Sequence, residues 1–407
     1  MIPRIGAIPL LAEKGYSQPG GAAFLLVSRP TKGALFVLDR GEIEIREGCP
    51  YVVTRFGSAS DAISAFSMGH TLTQQGLDMM SILGLHDAVI RDAEDEHLIW
   101  WTDVPGLVLR AVSTTLLRFT IGAVTLTVRD KEGNVVSPVL SPPRHHIAFR
   151  FFRLAQTTDD LFDAYRNMYL AFEALLSTKY PKPAGEREID WLRRALRLAS
   201  PSLPIDTLGL PASPDLVEVV LEKVYRDARL PLFHAKESHP YFAPQDTPAN
   251  RQAIAGALAL LTQIVLRMAE AWFDARRPGG GVFFGWVYEN VRRMVPNCSA
   301  YASSYEAAFD ATETDLSHPR FATAARLECR LAPELQRGRE PAVLSVATGT
   351  ELEKARPLRR VELASASTPF IAHVFEAPIE LAGVGQFEDL MHIRGVNSNQ
   401  PRSLFRQ

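Results

Sequence analysis

Residues 157–176 read TTDDLFDAYRNMYLAFEALL. Leu161, Phe162, Tyr165, Met168, Tyr169, Phe172, Leu175 and Leu176 recur there at steps of three and four. That spacing places them on one face of an α-helix. Thr157 or Thr158 is a natural N-cap, and Asp159 and Asp160 suit the positive end of the helix dipole. A second helix is predicted over Glu186 to Leu198, burying Trp191, Leu192, Ala195 and Leu196. A third is predicted with Ser213 as N-cap and Pro214 at its first position, running through Leu216, Val220, Val224 and Tyr225. A fourth starts at Thr247-Pro248 and runs to about Ala275, ahead of Pro278 and Gly279-Gly280-Gly281. Each of the four carries one apolar face, so they need one another to bury it, and a helical bundle follows.

Working outward, the flanks lose this period. Residues 1–145 read as mostly strand, with β-prone runs at Ala23 to Val27, Ala34 to Leu38 and Ile43 to Ile45. Leu98 to Trp101, Leu107 to Phe119 and Ala123 to Val128 repeat the pattern, and Asp130 to Asn134 suits a hairpin turn. Ala59 to Met80 alternates less and reads as partly helical. Ser141-Pro142-Pro143 marks a boundary. Beyond the three glycines the chain is mixed, with strands expected at Ala342 to Val346, Val361 to Leu363 and Phe370 to Phe375. The expectation is an α+β protein with three parts. A β-rich N-terminal domain spans 1–145, a central helical bundle 150–277, and a mixed, strand-bearing C-terminal domain 282–407.

Composition narrows the function classes. The 407 residues suit roughly two to three domains. A net charge of -2 argues against general polyanion binding, so a nucleic-acid site would have to be a local patch. Cys49, Cys298 and Cys329 form no CxxC pair, which argues against a disulfide framework and a thiolate zinc site. Glu13, Lys14 and two prolines interrupt the N-terminal apolar run, against a signal peptide. The most apolar stretch, Ala253 to Ala271, carries Gln263, Arg267 and Glu270 and suits a core helix better than a membrane span. A cytoplasmic protein without a membrane partner is expected.

One constellation carries chemistry. At the end of the third helix the chain reads Tyr225-Arg226-Asp227-Ala228-Arg229-Leu230-Pro231-Leu232-Phe233-His234-Ala235-Lys236. An arginine followed by a histidine at this spacing, with Tyr225 four residues before it, resembles the R-x4-6-H signature of HEPN domains. The helix from Phe162 to Glu173 is similar to the opening helix of their Apea-like branch, and the resemblance covers about 150–275. Catalytic members of that family cut RNA without a metal, at a site formed where two protomers meet. The resemblance thus implies an RNA partner, a homodimer through the helical domain, and no metal or cofactor. It makes Arg229 the phosphate clamp and His234 the acid or base.

The chemistry suits the types. Histidine moves protons near neutral pH, and arginine presents a planar fork that stays charged. Five residues of ideal helix rotate a side chain by about 140°, so Arg229 and His234 would diverge. Pro231 lacks the N–H that the Asp227 carbonyl needs and disfavours helix at Leu230, so a kink or end is expected there. Tyr225, Arg226, Asp227, Lys236, Arg276 and Arg277 are candidates for support or RNA contact. A conditional toxin or defence factor, with sensing or binding flanks, would suit this class.

Leu230 departs from the pattern, since active members carry a polar residue directly after the arginine. That keeps open a noncatalytic dimerisation or interaction protein, with Arg229 paired to a carboxylate such as Asp227 or Glu173. Asp159 to Asn167, together with Phe233 to Lys236, more narrowly resembles the J component of methylamine-utilisation clusters, which implies an accessory factor. His145-His146, and His234 with His239, fit no metal spacing. Arg193-Arg194 with Arg197, and Arg292-Arg293, read as solvated helix faces. Trp100-Trp101 and Trp286 read as core anchors.

Overall fold

The computed structural model describes residues 2–12, 19–104, 106–119, 128–129, 131–136, 142–158, 160–203, 205–208, 210–233, 241–242, 247–275, 281–304, 324–338, 340–354, 356–365 and 368–397. The chain divides into two compact units, Met1–Phe119 with Gly281–Val396, and Thr120–Gly280 with Asn397–Gln407.

The first unit is built on a sheet. Its N-terminal strands are β1 (Arg4–Ile5), β2 (Ile8–Pro9), β3 (Gly20–Leu25), β4 (Ala34–Leu38), β5 (Gly41–Ile45), β6 (Tyr51–Phe56), β7 (Glu96–Asp103) and β8 (Gly106–Phe119). Helix α1 (Ala62–Ile82) lies between β6 and β7 in sequence. In the second unit, β9 (Val128–Arg129) and β10 (Val135–Val136) form a short antiparallel pair around the expected turn. The C-terminal segment returns to the first unit with β11 (Cys298–Ser303), β12 (Ala325–Leu331), β13 (Ala342–Thr348), β14 (Leu358–Ser365), β15 (Thr368–Glu380) and β16 (Gln386–Asn397). Fourteen of these strands make one sheet, in the order β2-β1-β15-β14-β11-β12-β13-β16-β8-β7-β3-β6-β5-β4.

This order overturns the expectation of a central bundle flanked by a β-rich domain and a mixed domain. The class remains α+β, but strands from both ends of the chain share one sheet. Gly385 donates to the Leu107 carbonyl at 2.9 Å, and Arg110 meets Glu388 at 2.5 Å. Asp95 holds Arg337 at 3.2 Å and Arg394 at 2.8 Å. Strand edges take partners by hydrogen-bond demand, and closing a longer loop adds little entropy cost, so a partner nearly three hundred residues away is accessible.

Alternation within β3, β6 and β7 feeds two cores. Ala23, Leu25, Tyr51, Val53, Leu98 and Trp100 join Leu327, Val343, Ile371 and Phe387 on one side. Ala22, Phe24, Val52, Phe56 and Ile99 meet Ala65, Leu72 and Met80 of α1 on the other. Side chains on successive strand residues point to opposite faces, which is why one strand serves both. Trp100 and Trp101 are buried core anchors, as expected. Gly69 sits against the Cβ of Ala22, where an added Cβ would clash, so α1 approaches the sheet closely there.

The second unit contains α2 (Ala148–Thr157), α3 (Leu161–Lys179), α4 (Glu188–Ala199), α5 (Leu216–Leu221), α6 (Leu230–Phe233) and α7 (Pro248–Phe273). All eight stripe residues of α3 are buried in one core with Trp191, Leu192, Val220, Val224, Leu261 and Met268. Two caps differ from expectation. Asp160, rather than Thr157 or Thr158, caps α3 by accepting from the Asp163 N–H at 2.8 Å. Asp215, rather than Ser213, caps α5 by accepting from Val217 and Glu218. Thr247 caps α7 as expected. Helix α7 is also long and apolar enough to cross a membrane by length and composition, with 50% of its most apolar window buried in the structure.

Between α5 and α6, residues Glu222–Arg229 form a π-helical segment, and the Leu230 N–H reaches back to the Tyr225 carbonyl. Pro231 therefore does not end the helical path, which continues to Phe233. The wider turns of a π segment change which carbonyl each N–H meets, which accommodates a proline without a helix stop.

Candidate functional site

The geometry around Arg229 is set by four helical segments. The π segment presents Tyr225 and Arg229, α6 presents Phe233, α3 presents Tyr169, and the first turn of α4 presents Glu188. Arg229 Nη2 lies 2.9 Å from Glu188 Oε2. Tyr169 donates its hydroxyl to the other oxygen of that carboxylate at 2.9 Å. The guanidinium carbon lies 5.1 Å from the Phe233 ring centre, 5.3 Å from Tyr225 and 5.9 Å from Tyr169. Three negative ring faces thus surround a cation already neutralised by a carboxylate. The Arg229 side chain keeps only 18% of its exposure and Glu188 keeps 22%.

The neighbours follow from this arrangement. Tyr165, on α3, donates to the Val224 carbonyl, tying α3 to the π segment. Burial pushes the Tyr169 phenol up, and the Glu188 charge adds to that. Tyr225 is raised in the same way, by burial first and then Glu188. Burial also raises the half-buried Glu173 carboxyl, and Glu188 repels its charge further, while Arg229 and Lys182 pull it down. The site therefore favours the protonated form of Glu173 more than water does.

Among the residues singled out from sequence, Tyr225 and Arg229 meet. Arg226 and Asp227 lie on the exposed side of the segment, where Arg226 pairs with Glu222 at 2.5 Å. Burial and the nearby Glu222 raise the Asp227 carboxyl. His234, Lys236, His239, Arg276 and Arg277 lie outside the described residues. The expected partner of Arg229, Asp227 or Glu173, is replaced by Glu188, fifteen residues beyond Glu173 on a separate helix. Sequence reasoning missed Glu188 and the ring contacts of Tyr169, because both belong to the first turn or apolar stripe of ordinary helices. An acidic residue opening an amphipathic helix was the visible signal, and it also fits a plain dipole role.

The other basic clusters are neutralised locally. Arg193 meets Asp190 at 3.0 Å and also binds Glu218, Arg194 meets Glu186 at 2.8 Å, and Arg197 meets Asp215 at 2.8 Å. Arg292 and Arg293 both lie near Glu289. His146 accepts from the Ala148 N–H at 3.2 Å through Nδ1, so its Nε2 proton is left to donate to Thr178 at 2.9 Å. It thus serves the start of α2. Burial lowers its pKa, and His145 adds to that. Among the described residues no group of three or more His, Cys, Asp or Glu side chains is placed to hold a metal.

The Arg229 cluster and its supporting helices lie within one stretch of sequence. Residues 148–270 match the family of methylamine utilization protein MauJ. The match begins at the first residues of α2 and ends within α7, so the MauJ-like stretch holds Tyr165, Tyr169, Glu188, Tyr225, Arg229 and Phe233. It covers less than a third of the chain and does not reach the sheet unit. Neither the curated proteins nor the solved structures contain a match to the chain.

Proposed function

We propose that this chain is a noncatalytic interaction protein, an accessory factor rather than a ribonuclease, with a HEPN-like helical unit as its recognition module. One observation carries this reading: the Arg229 guanidinium is bound to Glu188 and enclosed by Tyr169, Tyr225 and Phe233. A phosphate clamp needs a cation available to the substrate as negative charge builds up. Releasing Arg229 would strand the Glu188 charge in a partly buried site, which is costly. Leu230, apolar where active HEPN members carry a polar residue, agrees with a structural arginine.

The match of residues 148–270 to the family of methylamine utilization protein MauJ supports a role connected with methylamine utilization. The three free thiols suit a reducing cytoplasm. A homodimer through the helical unit is part of the proposal, and exposed Leu154, Leu170 and Phe233 are candidate contact residues for it.

The test is incubation of mixed RNA with wild-type protein in EDTA, beside Arg229→Ala and His234→Ala. Light scattering on the same samples reports the oligomeric state. Intact RNA, with Arg229→Ala losing stability, is expected. Metal-independent cleavage by wild type, lost in both variants while their melting temperatures hold, would overturn the proposal and make Arg229 and His234 catalytic.

A further inference from the structure

Strand β4 closes one end of the sheet order, and among the described residues its only strand partner is β5. All five of its residues pair with β5 in unbroken register, from Ala34 facing Ile45 to Leu38 facing Gly41. On such an edge, the backbone groups not bonded to the neighbouring strand point outward and can take a further strand. Sheet edges are commonly guarded by a proline, a bulge or a charged side chain within the strand. Ala34-Leu35-Phe36-Val37-Leu38 carries none of these.

The two faces of β4 differ. Ala34, Phe36 and Leu38 pack against the core beneath α1. Leu35 and Val37 point the other way and keep 58% and 68% of their exposure. Their neighbours across β5 are Glu44 and Glu42. Both carboxylates are turned to the buried Arg55, at 2.5 and 2.7 Å, so the exposed apolar pair borders acids that are already neutralised. The ends of the strand are basic. Arg29 and Lys32 before it and Arg40 after it are exposed, and Asp39 is the one carboxylate between Val27 and Arg40.

Charge decides what pairs well there. A second copy of β4 running antiparallel, with Leu35 facing Val37, brings Lys32 near Arg40 at both ends, like charge against like. A strand with an apolar centre and carboxylates at its ends meets a cation at each end instead.

We propose that β4 is a docking edge for an extended segment of a partner protein, apolar in the middle and acidic at both ends, which joins the sheet as a further strand. Main-chain hydrogen bonds along β4 hold the segment, Leu35 and Val37 pack its alternate side chains, and Lys32 and Arg40 select its ends. The site belongs to the sheet unit, so it fails or holds separately from the reading of Arg229.

The experiment titrates the full-length protein into fluorescein-labelled synthetic peptides of nine residues, the span from Lys32 to Arg40, and follows fluorescence anisotropy. One peptide alternates valine and threonine between glutamates at both ends, and a second carries lysines at those ends. The glutamate peptide is expected to bind saturably, more weakly as salt rises, and about tenfold tighter than the lysine peptide. Leu35→Thr with Val37→Thr keeps strand propensity and the melting temperature, and should weaken that binding by about fivefold or more. Lys32→Glu with Arg40→Glu should reverse the preference between the peptides. No saturable binding of the glutamate peptide, equal affinity for both peptides, or indifference to the Leu35 and Val37 changes would overturn the proposal. So would a wild-type dimer that the double threonine variant dissolves, since that gives the edge to a second copy.

Discussion

If Arg229 is a structural cation, the pair it makes with Glu188 should appear as coupling energy in stability. At 2.9 Å and an effective dielectric constant near 20, the gross attraction is about 6 kcal/mol. Desolvation and side-chain ordering offset much of it, and partial exposure of both groups screens it further. Ring contacts with Tyr169, Tyr225 and Phe233 add about 0.5–1 kcal/mol each at such sites. Arg229→Met should therefore destabilise the helical unit by about 2–3 kcal/mol, since it leaves the Glu188 charge without its cation. Glu188→Gln keeps an acceptor for the Tyr169 hydroxyl and should cost less. The double variant should recover about 1–2 kcal/mol relative to the sum of the singles, the signature of a direct pair. Urea unfolding followed at 222 nm reports these values, with the helical signal weighted to the unit that holds α2 to α7. A coupling below about 0.5 kcal/mol, with both singles near wild type, would refute the reasoning and leave the arginine available to a substrate.

Glu173 is held above its ordinary 4.5 by burial and by Glu188, so the folded state favours its protonated form. A carboxyl whose folded pKa is raised weakens folding at neutral pH, and that penalty disappears as pH falls through the raised value toward 4.5. Glu173→Gln should stabilise the protein at pH 7 but not below about pH 4, and equal urea midpoints for both proteins at pH 7 would count against this. His97 and His392 behave oppositely. Burial lowers them to about 3 and about 4, so both are neutral when folded, and stability is lost as pH drops below the ordinary 6.5. Acidification from pH 7 to 5 should cost the sheet unit about 4 kcal/mol, roughly 2 for each histidine, and a flat urea-midpoint profile in this window would contradict it. Gly69→Val should push α1 off Ala22 and cost about 2 kcal/mol or more, read as a fall in melting temperature. An unchanged melt would mean that α1 is not held against the sheet at that point.

Helices α3, α4 and α7 were legible in the sequence because every hydrogen bond in a helix closes within a few residues, so period, cap and stop are local properties. Thr247 before Pro248, and the eight-residue stripe of α3, are read this way without any knowledge of neighbours. The strand positions at Ala34–Leu38 and within β7, β8, β13, β14 and β15 were also visible, from alternation and β-branched content. Their partners were not. A strand satisfies its N–H and C=O groups with any compatible edge, and chain entropy hardly distinguishes a near edge from one hundreds of residues away. The joining of the two ends into one sheet, which replaced the flanked-bundle expectation, was therefore decided by tertiary structure. So was the identity of the carboxylate on Arg229. Asp227 and Glu173 were nearer in sequence, but the π segment and the packing of α4 against its neighbours brought Glu188 to the guanidinium. Local pattern determined which residues are helical and apolar, and packing in three dimensions determined which charge meets which.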